Sequence, residues 1–194
     1  MTNWKTTDLQ SVNIYYSNKA EGKYIISLRD DFVNGLSPFD LEARCGFKGA
    51  TIWDYLLLCR DSVLDWSEKE ISMLEGLFWE IGIELKRHGM AIPSVETINV
   101  VKTTSMEEGG AMGYTRGNTI YVAESVMKKS EGKIEELLTH ELFHILTRSS
   151  LAFKEEVYKI IGFTTTEKVI DLMALNQRCR FVSNPEPTLK RGIF

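Results

Sequence analysis

Proline is scarce in this sequence, four in 194 residues, and no repeat or low-complexity run accompanies it, which excludes collagenous, repeat-biased and disordered classes. Cysteine is scarcer still. Cys45, Cys59 and Cys179 are odd in number and widely spaced, so they form neither a disulfide framework nor a CxxC metal or redox motif. They read as small buried hydrophobes in a reducing compartment. No Lys/Arg block exceeds two residues, and with a net charge of -4 and a pI near 5.5 the chain lacks the basic footprint that nucleic acid or an anionic membrane needs. The longest apolar stretches, such as Tyr55 to Cys59, are far short of a membrane span. The N-terminal MTNWKTTDLQSVNIYYSN has no apolar run resembling a signal peptide, so the expected location is the cytoplasm. What is present is ordinary globular material: 43% hydrophobic, 26% charged and 10% aromatic residues. A chain of this size can bury roughly 70% of its unfolded surface around one core.

The pattern along the chain predicts an α+β domain over residues 1–194, with a mostly helical half over 1–90 and strands plus further helices over 91–194. Lys23 to Leu28 alternates weakly, like a strand. Ser37-Pro38 opens a helix with proline in its first turn. The run ATIWDYLLLCRDSVLDW predicts a helix burying Ile52, Tyr55, Leu56 and Cys59. Ser67 and Glu70 form a capping box before Ile71, Leu74, Leu77, Phe78 and Ile81, and that helix ends at His88-Gly89, where His88 partners the helix dipole. Beyond Pro93, Thr97 to Thr103 reads as a strand. A Gly-rich turn, MEEGGAMG, then leads into YTRGNTIYVAES, in which Gly117-Asn118 turns the chain into a second strand, Thr119 to Ala123. A helix from about Gly132 to Thr147 carries Ile134, Leu138, Leu142 and Ile145 on its core face. The next helix, LAFKEEVYKII, has Phe153, Val157 and Ile160 as its stripe and Gly162 as its stop. Thr166 to Leu175 predicts one more.

Two of the three histidines fall in His140-Glu141-Leu142-Phe143-His144. Residues i and i+4 sit one helical turn apart, so both imidazoles can ligate a single metal. Glu141 is rotated about 100° from His140, where it can act on a metal-held water without ligating, as a general base must. The flanks Leu137-Leu138-Thr139, Leu142-Phe143 and Ile145-Leu146 are uncharged and proline-free, unlike a solvated helix face.

A hydrolytic site needs a third protein ligand and an open position. Thr147 and Ser150 stand where HExxHxxGxxH would have Gly and His, so a carboxylate has to complete the set. Glu155, Glu156, Glu167 and Asp171 are the candidates. Glu155 is preferred because it lies one turn before Tyr158, and the two can address the same water. The strand Thr119 to Ala123, with Ile120 and Tyr121 at its centre, is expected to edge a cleft and pair with a peptide. Tyr114 and Arg116 are expected at the rim as donors to substrate or to an oxyanion, against a second reading as turn packing and a surface salt bridge.

VKTTSMEEGGAMGYTRGNTIYV from Val101, with THELFHILTR, EEVYKIIGF and SNPEP, resembles a family of uncharacterised bacterial HExxH proteins of the zincin-like metallopeptidase class. That family reads approximately EEGGAAYTRGNAI, HELFHVLSR, an acidic helix ending LYxxIGF, and TNPDAP. The resemblance covers roughly Asp65 to Pro187. It implies a zincin-like fold and a gluzincin-type zinc site, with an acidic residue at Glu155 beside Tyr158. Relatives are expected to continue beyond the position of Phe194 with β-rich sequence. The expectation is therefore a Zn²⁺ peptidase with His140, His144 and Glu155 as ligands, Glu141 and Tyr158 as catalytic groups, and a peptide or protein as substrate. The alternative is a catalytically silent, metal-stabilised binding module.

Overall fold

The computed structural model describes residues 5–160, 162 and 163. Helix starts are written into the sequence as side-chain caps. They open α1 (Lys19–Ile26), α2 (Asp31–Asn34), α3 (Pro38–Cys45), α4 (Ile52–Ser62) and α5 (Glu68–Arg87). Asn18, Ser37, Thr51 and Ser67 each accept the N–H three residues on, and the carboxylates of Glu21, Asp40, Asp54 and Glu70 accept the N–H of the cap in return. Asp30 alone caps α2. After the strands described next come α6 (Glu131–Ser149) and α7 (Leu151–Ile160).

The strands are β1 (Thr6–Thr7), β2 (Asn13–Tyr16), β3 (Val63–Leu64), β4 (Ile92–Pro93), β5 (Thr97–Thr103), β6 (Gly113–Arg116) and β7 (Thr119–Ala123). β1 and β4 pair by themselves. The others form a mixed sheet in the order β2-β5-β7-β6, with β3 alongside β5. β2 and β7 run parallel to β5, while β3 is antiparallel to β5 and β6 is antiparallel to β7. The two predicted strands, Thr97 to Thr103 and Thr119 to Ala123, are β5 and β7, parallel neighbours in a larger sheet, two of whose strands come from the helical first half.

Period-two alternation sends neighbouring side chains to opposite faces of this sheet. Ile98, Val100, Ile120 and Val122 pack with Leu74 and Phe78 of α5 and Leu138 and Leu142 of α6. Val63, Val101, Tyr114 and Tyr121 pack with Ile26, Tyr55 and Cys59 from the first four helices. The result is three layers: α1 to α4, the sheet, then α5 and α6. The fold class is mixed α and β.

Three expectations change. Lys23 to Leu28 is the end of α1 and the turn after it, because the Asn18–Glu21 box starts a helix whose Gly22 and Ile26, four apart, are its buried positions. The helix after Gly49 stops at Ser62, since the next two residues pair with Thr103 and Lys102 of β5. Ile160 is 82% exposed and leaves the stripe of α7 to Phe153 and the half-buried Val157. The helix predicted over 166–175, and Cys179, lie outside the described residues.

Candidate functional site

α6 is locked in rotation by its apolar stripe. Ile134, Leu138, Leu142 and Ile145 are buried against the sheet, which turns His140 and His144 outward, the first exposed and the second half-buried. Their Nε2 atoms are 2.8 Å apart, with ring centroids 4.4 Å apart and planes at 84°. At this distance one ring nitrogen donates and the other accepts. Two nitrogens on one tetrahedral zinc stand about 3.3 Å apart, slightly wider than this pair. The donor set therefore fits two of the three protein ligands of a hydrolytic zinc site. Among the described residues no group of three or more His, Cys, Asp or Glu is assembled. Glu155 and Glu156 are exposed on α7, so Glu155 is not gathered with the histidines here; Glu167 and Asp171 lie outside the described residues. Tyr158, half-buried on α7, stands edge-on to Phe143 at 6.1 Å, and Phe143 is 6.1 Å from the His144 ring.

His140 and Glu141 form one end of a cleft of about 550 Å³, whose walls include Met112, Gly113, Leu137, Lys129 and Lys133. Glu141 is only 4% exposed, so its carboxylate sits at the inner wall. Gly113 is what lets the sheet come this close to α6. A Cβ there would lie 3.2 Å from both Leu137 Cδ2 and Tyr121 O.

The substrate-contact expectations do not survive this geometry. β7 is paired on both sides, with β5 and with β6, so Ile120 and Tyr121 have no free backbone edge for a peptide. Among the described residues β6 is the outer strand, and it borders the cleft through Gly113. Tyr114 and Arg116 are 6% and 5% exposed and face the first helical layer, away from α6. Arg116 donates to Asp30 Oδ2 at 2.9 Å and to the carbonyls of Ile26 and Leu28. Alternation caused the reversal, since Gly113 and Thr115 take the α6 side, where Arg148 donates to Thr115 Oγ1. The second reading, turn packing and a surface salt bridge, holds only in kind: both residues pack within a strand, and the Arg116–Asp30 pair is buried on its arginine side.

Sequence reasoning also missed the two acids of the Gly-rich turn. Tyr114 Oη donates to Glu107 Oε1 at 2.8 Å and Tyr55 Oη to Glu108 Oε1 at 2.8 Å. Arg44 grips both oxygens of Glu108 and reaches Asp40. Burial pushes the Glu108 carboxyl up, against the Arg44 and Tyr55 bonds that favour its ionised form. This buried network ties the turn preceding β6 to α3 and α4, and so holds the cleft wall from behind. Lys133 and Leu137 were findable from sequence, because they precede His140 by seven and three positions on one helical stripe.

No helix among the described residues is long and apolar enough to cross a membrane. Neither the curated proteins nor the solved structures gave a match. A family model described as the eCIS core domain, a domain found in extracellular contractile injection systems, matches residues 96–151, which is the segment from β5 to the end of α6 that carries the histidine pair and the edge strand.

Proposed function

We propose that this protein is a zinc-dependent peptidase that uses His140 and His144 as metal ligands and Glu141 as general base. The observation that carries the reading is the approach of the His140 and His144 Nε2 atoms to 2.8 Å at the end of a cleft lined by His140 and Glu141. Bound there, Zn²⁺ would lower the pKa of a water towards about 7 and polarise a carbonyl. Glu141 takes the proton of the attacking water and passes it to the leaving amine. Its inner-wall position keeps the carboxylate off bulk solvent, and β6 offers an outer backbone edge along which a peptide can be held by strand pairing. Glu155 is the proposed third ligand and Tyr158 a donor beside it. The free thiols of Cys45 and Cys59 fit a reducing compartment, and we propose the cytoplasm as the location.

A second reading, a metal-stabilised binding module without turnover, is favoured by one observation: the described residues do not assemble a third donor. Cleavage of a quenched peptide library by the zinc-supplemented protein, beside Glu141→Gln, separates the two. Turnover lost in the variant supports the peptidase, whereas zinc binding without turnover in either protein supports the module.

A further inference from the structure

α4 is apolar almost all the way round. Seven of its eleven residues, everything from Ile52 to Cys59 except Asp54, are apolar, a pattern that belongs to a helix covered on more than one side. Tyr55, Leu56 and Cys59 pack inward, in the core between this layer and the sheet. Trp53 and Leu57, one turn apart on the opposite side, are 64% and 58% exposed. α1 lies beside α4 in the same layer and repeats the arrangement. Its Gly22 faces Val63 and Val101 of the sheet and its Ile26 is buried, whereas Tyr24 and Leu28 are 70% and 46% exposed. The first helical layer thus has an apolar outer face as well as an apolar inner one.

Two properties of this face fit a second copy of the same chain. The first is extent. At about 150–250 Å² per large side chain, Tyr24, Leu28, Trp53 and Leu57 together expose roughly 400–500 Å², near the upper end of what a monomer shows. Two copies face to face cover about 900 Å² of apolar surface, and with a polar rim the total passes the ~1,000 Å² of a specific interface. The second is self-complementarity. Trp53 and Arg60 are seven residues apart, about two turns along one stripe of α4, with Leu57 between them. Arg60 is exposed and makes no ion pair among the described residues. Antiparallel pairing of two copies of α4 about Leu57 lays each Arg60 over the Trp53 of the other copy, cation against ring face. Asp54 and Asp61 fall on the neighbouring stripe, at the rim of that pairing, where water and salt screen them. Asp54 is also drawn back to Thr51, whose N–H and hydroxyl donate to its Oδ2 at 2.8 and 2.6 Å.

We infer that the chain forms a two-fold symmetric homodimer through the outer face of α1 and α4, with Leu57 beside the axis and an Arg60–Trp53 contact on either side. The cleft of His140 and Glu141 lies in the opposite layer, between α6 and the sheet, so both copies keep it open.

Size-exclusion chromatography with light scattering, in reducing buffer at about 100 µM protein, should give twice the chain mass of 22.2 kDa. Leu57→Glu places like charges at the axis and should give the single-chain mass with unchanged circular dichroism. Trp79→Glu, at a residue 57% exposed on α5 in the opposite layer, should leave the dimer intact. Arg60→Ala disturbs no buried residue, so it tests the contact independently of how Leu57→Glu folds. It should raise the dimer dissociation constant about fivefold or more, and Arg60→Lys should recover most of the loss. A monomeric wild type overturns the inference and leaves the face to another occupant. A dimer that survives Leu57→Glu, or that Trp79→Glu dissociates, places the interface elsewhere and overturns it too. Unchanged affinity in Arg60→Ala rejects the antiparallel pairing and with it the inferred dimer.

Discussion

Glu141 and His140 are adjacent in sequence but differ in exposure, the carboxylate against the cleft wall and the imidazole out in solvent. That difference separates their roles. Glu141→Gln preserves shape and removes only the proton acceptor, so zinc content and melting temperature should hold while peptide hydrolysis falls roughly 10²–10⁴-fold. His140→Ala should lose metal and activity together. For the third ligand, Glu155→Ala should weaken zinc affinity by orders of magnitude and Glu156→Ala should change it little. Competition with a chelator decides: a reversed pattern would make Glu156 the ligand, and metal loss in neither would pass the role to Glu167. The motif itself was legible because i,i+4 spacing on a helix is a local rule. The third donor was not, because it depends on where a second helix stops and turns.

Among the elements, α1 shows how tightly the first helical layer sits on the sheet. A Cβ on Gly22 would come within 2.8 Å of Val63 Cγ1 and 3.0 Å of Val101 Cγ1. Both valines are fully buried and β-branched, so they have no rotamer to escape into. Helix propensity alone favours Gly22→Ala by about 1 kcal/mol, but overpacking costs about 1–3 kcal/mol and should win. A lowered melting temperature and denaturation midpoint would show it, and a stabilised variant would contradict the packing described. α1 is also where the sequence misled. Its weak alternation resembled a strand, and only the reciprocal cap of Asn18 and Glu21 declared a helix. The box of Ser67 and Glu70 declares α5 and Pro38 the start of α3, whereas α4, read as far as Trp66, ends at Ser62. The edge strand was misplaced for a different reason. β7 is legible in the sequence as a strand, whereas Tyr114 and Arg116 of β6 read there as the turn before it, and which strand lies at the edge is set by long-range pairing with β5.

The whole molecule places a sheet between two apolar layers, one of which buries ionisable groups that the chemistry does not use. Burial pushes the Cys59 thiol up to about 12 and raises the phenols of Tyr55, Tyr114 and Tyr121. In the unfolded chain the thiol ionises near 9 and the phenols near 10. The folded state therefore keeps protons that the unfolded state releases, so the stability these groups contribute is complete below pH 9 and is lost as pH rises towards 12. Melting temperature should fall steeply over that window, and Cys59→Ala should flatten its lower part, since one such group contributes a slope of about 1.4 kcal/mol per pH unit. The sequence marks Tyr55 and Cys59 as a buried helix face and assigns Tyr114 and Tyr121 to the cleft, without bringing the four together. Their convergence beneath β6 is a product of topology.

The most direct test of the account is hydrolysis of a quenched peptide library by wild-type protein, carried out after metal removal and again after adding one equivalent of Zn²⁺. The account predicts that cleavage is absent without metal, returns with zinc, and does not return in Glu141→Gln that has bound the same amount of zinc. Cleavage that survives metal removal, or that Glu141→Gln restores in full, would contradict it.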